Sequence, residues 1–208
     1  MKYPHYSREL LKMLEEDQRQ IRNQAHIEQS LPTEAERQAH AKKVTRDCHR
    51  RAARMLKILD AIGAPTFDNI GPEAAEAVSV FALHSYLDEM KHVLAVYEKQ
   101  FAIDPASFYK QAIPPLTDRI MIAERRRQKF GTNWSISTEG RWFLIPVDDF
   151  ANVNALRAQY GLEPIRKPRC LAIGMEEYPL GKGPAGASDQ KALTDEEYAE
   201  YTADLIRR

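Results

Sequence analysis

PTEAERQAHAKKVTRDCHRRAARMLKILDAIGAPT, residues 32–66, is the stretch that decides the fold class. Pro32-Thr33-Glu34 reads as a helix start with Thr33 as N-cap, because a threonine hydroxyl can accept a hydrogen bond from a backbone N–H of the first turn. Val44, Met55, Ile58 and Ile62 then recur at helical spacing and mark an inner face. Gly63-Ala64-Pro65-Thr66 stops the run, which predicts one helix of roughly thirty residues. Asp47 and Arg51 occupy intermediate offsets of the same stripe, so a carboxylate and a guanidinium lean inward with it.

Upstream, Leu10, Leu14 and Ile21 predict a helix over residues 6–28, and Asp17 falls on their stripe, pointing a second carboxylate toward the core. Downstream, Gly71-Pro72 opens an Ala-rich helix or helix pair through residue 101. Phe81 and His84 share a face there, and Leu83, Leu87, Met90, Leu94 and Tyr97 form an apolar stripe. Pro105 predicts a short helix that Pro114-Pro115 breaks, with a further helix over 116–127 and Thr117 or Asp118 in its first turn. Residues 128–136 and 141–147 are aromatic and β-branched, and Ser137-Thr138-Glu139-Gly140 between them predicts a β-hairpin. Asp148 is expected to cap a last domain helix that Gly161 ends. The fold expected is mainly α: a bundle-like domain, residues 1–165, of five to seven helices with one small hairpin. A Pro- and Gly-rich linker (166–193) and a C-terminal helix (194–208) follow, the helix opened by a Thr194/Glu197 capping box and carrying Tyr198, Tyr201 and Leu205.

Composition narrows the function classes. The 208 residues suffice for one substantial core, and 30 basic against 30 acidic residues give a net charge of +0, without the excess positive charge of a nucleic-acid binder. Nucleic acid is therefore not an expected partner, and the short basic run Arg125-Arg126-Arg127 reads as solvated surface. No apolar segment approaches the roughly 20 residues needed to span a bilayer, and the amino terminus lacks a secretory signal. Cys48 and Cys170 are too few for a disulfide framework or a cysteine-rich zinc site. A cytoplasmic protein without membrane attachment is the resulting expectation.

Asp17-Gln18, Asp47, Gly63-Ala64-Pro65-Thr66, Ile70-Gly71, His84 and Leu116-Thr117-Asp118-Arg119 follow one another in an order that continues through Gln128-Lys129-Phe130-Gly131-Thr132, Ile145-Pro146-Val147-Asp148-Asp149, Leu156-Arg157 and Tyr160-Gly161-Leu162. On these pieces the chain resembles the bacterial domain-of-unknown-function family number 6624 over about residues 10–165. The resemblance implies a shared fold and pocket but supplies no reaction. The chain departs from the family pattern at Ala64, Tyr86 and Asn133, and at the arginine run 125–127.

Chemistry must come from the polar residues of those segments. His84 and Asp118 are the candidate catalytic residues: His84 as general acid or base, Asp118 (or Asp17 or Asp47) orienting it. Asp17, Asp47, Arg119, Gln128, Gly131 and Thr132 are the candidate ligand-binding residues, Arg119 gripping an anion and the Gly131-Thr132 backbone approaching it. The arrangement suits a hydrolase or transferase, or a binding domain, for a small anionic or nucleotide-like ligand. The competing class is a protein-interaction module of immunity or antitoxin type, in which Arg51 or Arg119 bridges Asp17 and Asp47 as a purely structural network. Its partner surface would be the hairpin, with Trp134, Trp142 and Phe143, or the C-terminal helix. No cofactor is implied. His84, Asp88 and His92, spaced by four, are a weak metal candidate that requires one continuous helix.

Overall fold

The computed structural model describes residues 1–136, 142–145 and 147–165. They are mainly helical, in the order α1 (Pro4–Ser30), α2 (Glu34–Ile62), α3 (Phe67–Ile70), α4 (Pro72–Leu83), α5 (Leu87–Ile103), α6 (Ile113–Ala123), β1 (Trp134–Ile136), β2 (Trp142–Leu144) and α7 (Val153–Gln159). Two compact units divide the chain, Met1–Leu116 and Thr117–Arg208. The linker and C-terminal helix expected over 166–208, and with them Cys170, lie outside the described residues.

In the first unit, α2 begins as its sequence requires. Thr33 Oγ1 accepts from Glu36 N at 3.2 Å while the Glu36 carboxylate accepts from Thr33 N at 3.0 Å, so two otherwise orphaned N–H groups are satisfied reciprocally. Val44, Met55, Ile58 and Ile62 are all buried. The helix ends at Gly63, whose φ of 72° is in the left-handed region that glycine adopts without penalty. Asn69 then closes the corner, its amide donating to the Ile62 and Ala64 carbonyls at 3.2 and 2.9 Å.

Helix α4 is the centre of this unit. Ala74, Ala75, Ala77 and Ala82 are fully buried, and such small side chains let α1 and α2 pack closely against it. Gly71, φ 82°, turns the chain into Pro72 at the first helical position, where a missing N–H costs nothing. The stretch 72–101 resolves into two helices, because the chain leaves the helix at His84 and re-enters it at Leu87. Tyr97 on α5 is buried and stacks on Phe108, ring centroids 5.6 Å apart. Around Pro105 only a single 3-10 turn forms, Lys110–Ala112.

Pro114-Pro115 does not break a helix but begins one. Helix α6 starts at Ile113, placing both prolines in the first turn, where backbone N–H groups have no intrahelical acceptor to lose. Asp118 consequently lies inside α6 rather than in its first turn, and the helix ends at Ala123, four residues short of Arg127.

In the second unit, β1 and β2 pair antiparallel in the register Trp134↔Leu144, Ser135↔Phe143 and Ile136↔Trp142. They are shorter than the segments expected, and the turn at 137–140 lies outside the described residues. Leu144, Val147 and Val153 form a small core with Trp134, Phe150 and Ile165 packed on it. Helix α7 starts at Val153 after Asn152, whose backbone N–H donates to Asp149 Oδ1 at 3.3 Å. Asp148 instead uses its own N–H on the Gln128 carbonyl, at 2.9 Å.

Candidate functional site

Asp17, on α1, is fully buried among otherwise apolar positions, and α2 supplies its counter-charge. Two nitrogens of Arg51 converge on one carboxylate oxygen: Nε donates to Oδ1 at 3.0 Å and Nη2 lies 2.7 Å from the same atom. A fork-to-fork pair would engage both oxygens. Here Oδ2 is buried with no hydrogen-bond partner among the described residues. An ionised oxygen left in that state is costly, so it marks a place where the protein tolerates an incomplete network.

Three more groups surround the carboxylate. Cys48, one helical turn before Arg51, brings Sγ to 3.9 Å from Asp17 Oδ1 and 3.5 Å from Arg51 Nη2. Burial, reinforced by the negative charge of Asp17, pushes the Cys48 thiol above its ordinary pKa, so the sulfur rests protonated. His84, at the end of α4, places Nδ1 3.8 Å from Asp17 Oδ1 while its side chain keeps 27% of its surface in solvent. Its departure from helical geometry, φ −98° and ψ 2°, gives the ring this position. Gln20 joins the cluster to Asp47: Oε1 accepts from Arg51 Nη2 at 2.7 Å and Nε2 donates to Asp47 Oδ2 at 3.2 Å. Arg50 sits 3.3 Å from the other Asp47 oxygen.

The outer edge is aromatic. Tyr86, an exposed residue, stacks face to face on His49 with centroids 4.0 Å apart and an interplanar angle of 5°. His49 Nδ1 is another buried atom without a hydrogen-bond partner among the described residues. Of the expected site residues, the structure therefore brings together Asp17, Asp47 and His84. Gln20, Cys48 and His49 are members that the sequence reading passed over. Periodicity carried the signal for two of them, since Gln20 follows Asp17 by three positions and Cys48 precedes Arg51 by three.

The remaining candidates belong to the second unit, where they form a different kind of cluster. Asp118 is fully buried and accepts four hydrogen bonds: from Lys129 N (2.7 Å) and Phe130 N (2.9 Å) on Oδ1, and from Thr132 N (2.9 Å) and Thr132 Oγ1 (2.8 Å) on Oδ2. Burial pushes the Asp118 carboxyl above its ordinary pKa, while the bonds from Phe130, Thr132 and Lys129 pull the other way. Gln128, also fully buried, donates to the Asn133 and Ile145 carbonyls and accepts from Asn133 N. Arg157 Nη1 donates to the Phe130 carbonyl at 2.7 Å. The Thr132 backbone thus faces Asp118, and the Gly131 carbonyl accepts from Arg157 Nη1 at 3.3 Å. A Cβ at Gly131, φ 67°, would run into Ile165 Cδ1 and Val147 Cγ2.

Compared with protein-family models, curated proteins and solved structures, the chain matches none. The site has to speak through its own atoms.

Arg119 is exposed beside the buried Asp118. His84, Asp88 and His92 do not share a helix: His84 ends α4, whereas Asp88 and His92 are exposed on α5. The four-residue spacing assumed a continuity that the break at 84–86 removes. Among the described residues, the side chains whose ligand atoms approach one another closely enough for one metal ion are Asp17, Cys48 and His84, all within 4.8 Å. No helix among them is long and apolar enough to cross a membrane.

Proposed function

We propose that the first unit is a small-molecule site in which His84, backed by Asp17, handles a proton, and that the chain acts as a hydrolase or transferase on a small anionic or nucleotide-like ligand or binds such a ligand. The observation that carries this reading is a part-exposed imidazole held against a fully buried carboxylate whose second oxygen has no hydrogen-bond partner among the described residues. A buried acid orients a histidine and stabilises its cation, and the exposed edge of the ring then meets the ligand. Arg50, with 75% of its side chain exposed next to Asp47, supplies positive charge for an anion, and the Tyr86–His49 stack offers a flat face for a ring. In this reading the protein is a cytoplasmic member of the family it resembles.

The second reading, an interaction module with structural polar networks, is favoured by one specific observation. Both oxygens of Asp118 and the whole amide of Gln128 are spent on backbone, as a purely structural network requires.

Histidine ring resonances, followed by NMR while inorganic phosphate, adenosine monophosphate and small dicarboxylates are added, separate the two. A saturable shift of the His84 signal, assigned with His84→Gln, is expected. Silence of that signal across the whole panel would leave the interaction reading in possession.

A further inference from the structure

Three donor atoms of different chemistry meet at Asp17: a carboxylate oxygen, the Cys48 sulfur and a His84 nitrogen. A nucleophile–histidine–acid relay does not explain them. In such a relay the thiol and the acid occupy opposite nitrogens of the ring, so that the proton passes through it. Here the thiol and the acid are 3.9 Å from each other, too close to be separated by an imidazole.

The same distances fit ligands arranged around a shared centre. Bond lengths of about 2.0–2.3 Å at tetrahedral angles place neighbouring ligand atoms roughly 3.3–3.8 Å apart. The structure has 3.8 Å from His84 Nδ1 to Asp17 Oδ1 and 3.9 Å from Cys48 Sγ to that oxygen, with the three ligand atoms all within 4.8 Å of one another, so both distances to the carboxylate lie close to that range. Asp17 and Cys48 lie on α1 and α2 and His84 in the turn directly after α4, and these three helices pack on one another.

We propose that Asp17, Cys48 and His84 form a mononuclear site for a divalent cation of the zinc class, with a fourth position open to water or ligand. The inference rests on the small-molecule reading above for its ligand, and in it the His84 nitrogen that faces Asp17 holds the metal, an electrophile, instead of a proton. A mixed sulfur, nitrogen and oxygen set suits zinc and cobalt and disfavours magnesium or calcium, which take oxygen. Three protein ligands with one vacancy is the arrangement of catalytic rather than structural zinc. The Asp17 carboxylate also has capacity to spare, since its Oδ2 is buried with no hydrogen-bond partner among the described residues. Arg51 remains on Oδ1 as the group that orients the carboxylate, as charged or polar neighbours do around metal ligands.

The charge balance is explicit. Binding forms one bond each from the metal to sulfur, nitrogen and oxygen, and the Cys48 thiol proton passes to solvent. Thiolate, carboxylate, Arg51 and a dication then sum to one positive charge, which a hydroxide or an anionic ligand in the open position cancels. This is why the site would favour anions despite the acid at its centre.

Cobalt titration of the reduced, metal-free 208-residue chain tests the assignment. A thiolate-to-cobalt charge-transfer band is expected, saturating at one ion per chain and displaced by zinc. Cys48→Ser and Cys48→Ala should both lose the band with the helical circular dichroism intact, and His84→Gln should weaken binding by at least roughly tenfold. Cys170→Ser should leave it unchanged. Absence of the band, or its survival in both Cys48 variants, overturns the inference. If cobalt fails while phosphate still shifts His84 in the metal-free chain, only the metal falls. If the band appears as expected but no ligand moves His84, the metal stands and the small-molecule reading falls.

Discussion

Asp17 and Asp118 are the same residue type and equally hidden from water, yet their surroundings are opposites. Asp118 has four donors on its two oxygens, three of them backbone N–H groups of residues 129–132. Asp17 has a guanidinium on one oxygen, a thiol and an imidazole nearby, and no hydrogen-bond partner on the other oxygen among the described residues. A carboxylate completed by backbone is a building element, because nothing remains for it to bind. One completed by side chains and left short by an oxygen still has capacity, and the difference separates a scaffold from a site.

The first way to break this comparison is Asp118→Asn. The amide turns an acceptor into a donor facing N–H groups, so unfolding stability is expected to drop by about 3–5 kcal/mol, a loss seen when a buried charged hydrogen-bonding group is left unmatched. Both tryptophans, Trp134 and Trp142, lie in the second unit, so their fluorescence during urea unfolding reports the change. A loss below about 1 kcal/mol, the worth of one ordinary hydrogen bond, would mean that the loop holds itself.

Arg51→Met strands the Asp17 charge and should cost about 3 kcal/mol by the same denaturation followed by circular dichroism. Adding Asp17→Asn should recover part of that loss, since it removes the uncompensated charge, and the double-mutant cycle measures the coupling. Equal costs for the single and double variants would show that Asp17 is not charged in the fold.

Tyr97→Phe should act in the other direction. The Tyr97 hydroxyl is buried without a hydrogen-bond partner among the described residues, so its removal is expected to stabilise by about 1 kcal/mol. Burial raises the Tyr97 pKa well above its ordinary value. The stability this group contributes is therefore complete below the usual tyrosine pKa and is lost as pH climbs from there toward the folded-state value. The phenylalanine variant should lack that part of the alkaline decline.

The smallest effect is expected at Arg54, which pairs with Glu9 across the same two helices as Arg51 and Asp17 but in solvent, Nε to Oε1 at 2.6 Å. Arg54→Ala should cost under about 1 kcal/mol, less in high salt. The hydrogen bond from Arg54 holds the Glu9 carboxyl below its ordinary pKa. Its contribution is thus present above the usual glutamate value and lost as pH falls through the folded-state one.

What could be read from the sequence was what depends on neighbours in the chain. The Thr33 cap, the Gly63 stop and the Gly71-Pro72 entry are short-range arrangements of donors, acceptors and permitted dihedrals, and each was legible. The inward tilt of Asp17 and Arg51 followed from stripe position alone. The approach of His84 to Asp17 was not legible, because it depends on where α4 ends and which helices it packs on. Pro114-Pro115 misled because proline forbids a helix interior but favours its first turn, and only the position of Ile113 decides between them. Asp118 and Gln128 looked like ligand groups because a backbone-binding carboxylate or amide has no pattern of its own.

The anchorage of the loop after α6 by Asp118 also divides the labour of specification unequally. Lys129 and Phe130 are gripped by their N–H groups, which every residue but proline possesses, so the grip is indifferent to what the exposed position 129 carries outward. The instruction that shapes the segment is stored at a single position eleven residues upstream of its first contact. The side chain at 129 is thereby free to vary as an exposed surface without dissolving the bend that presents it.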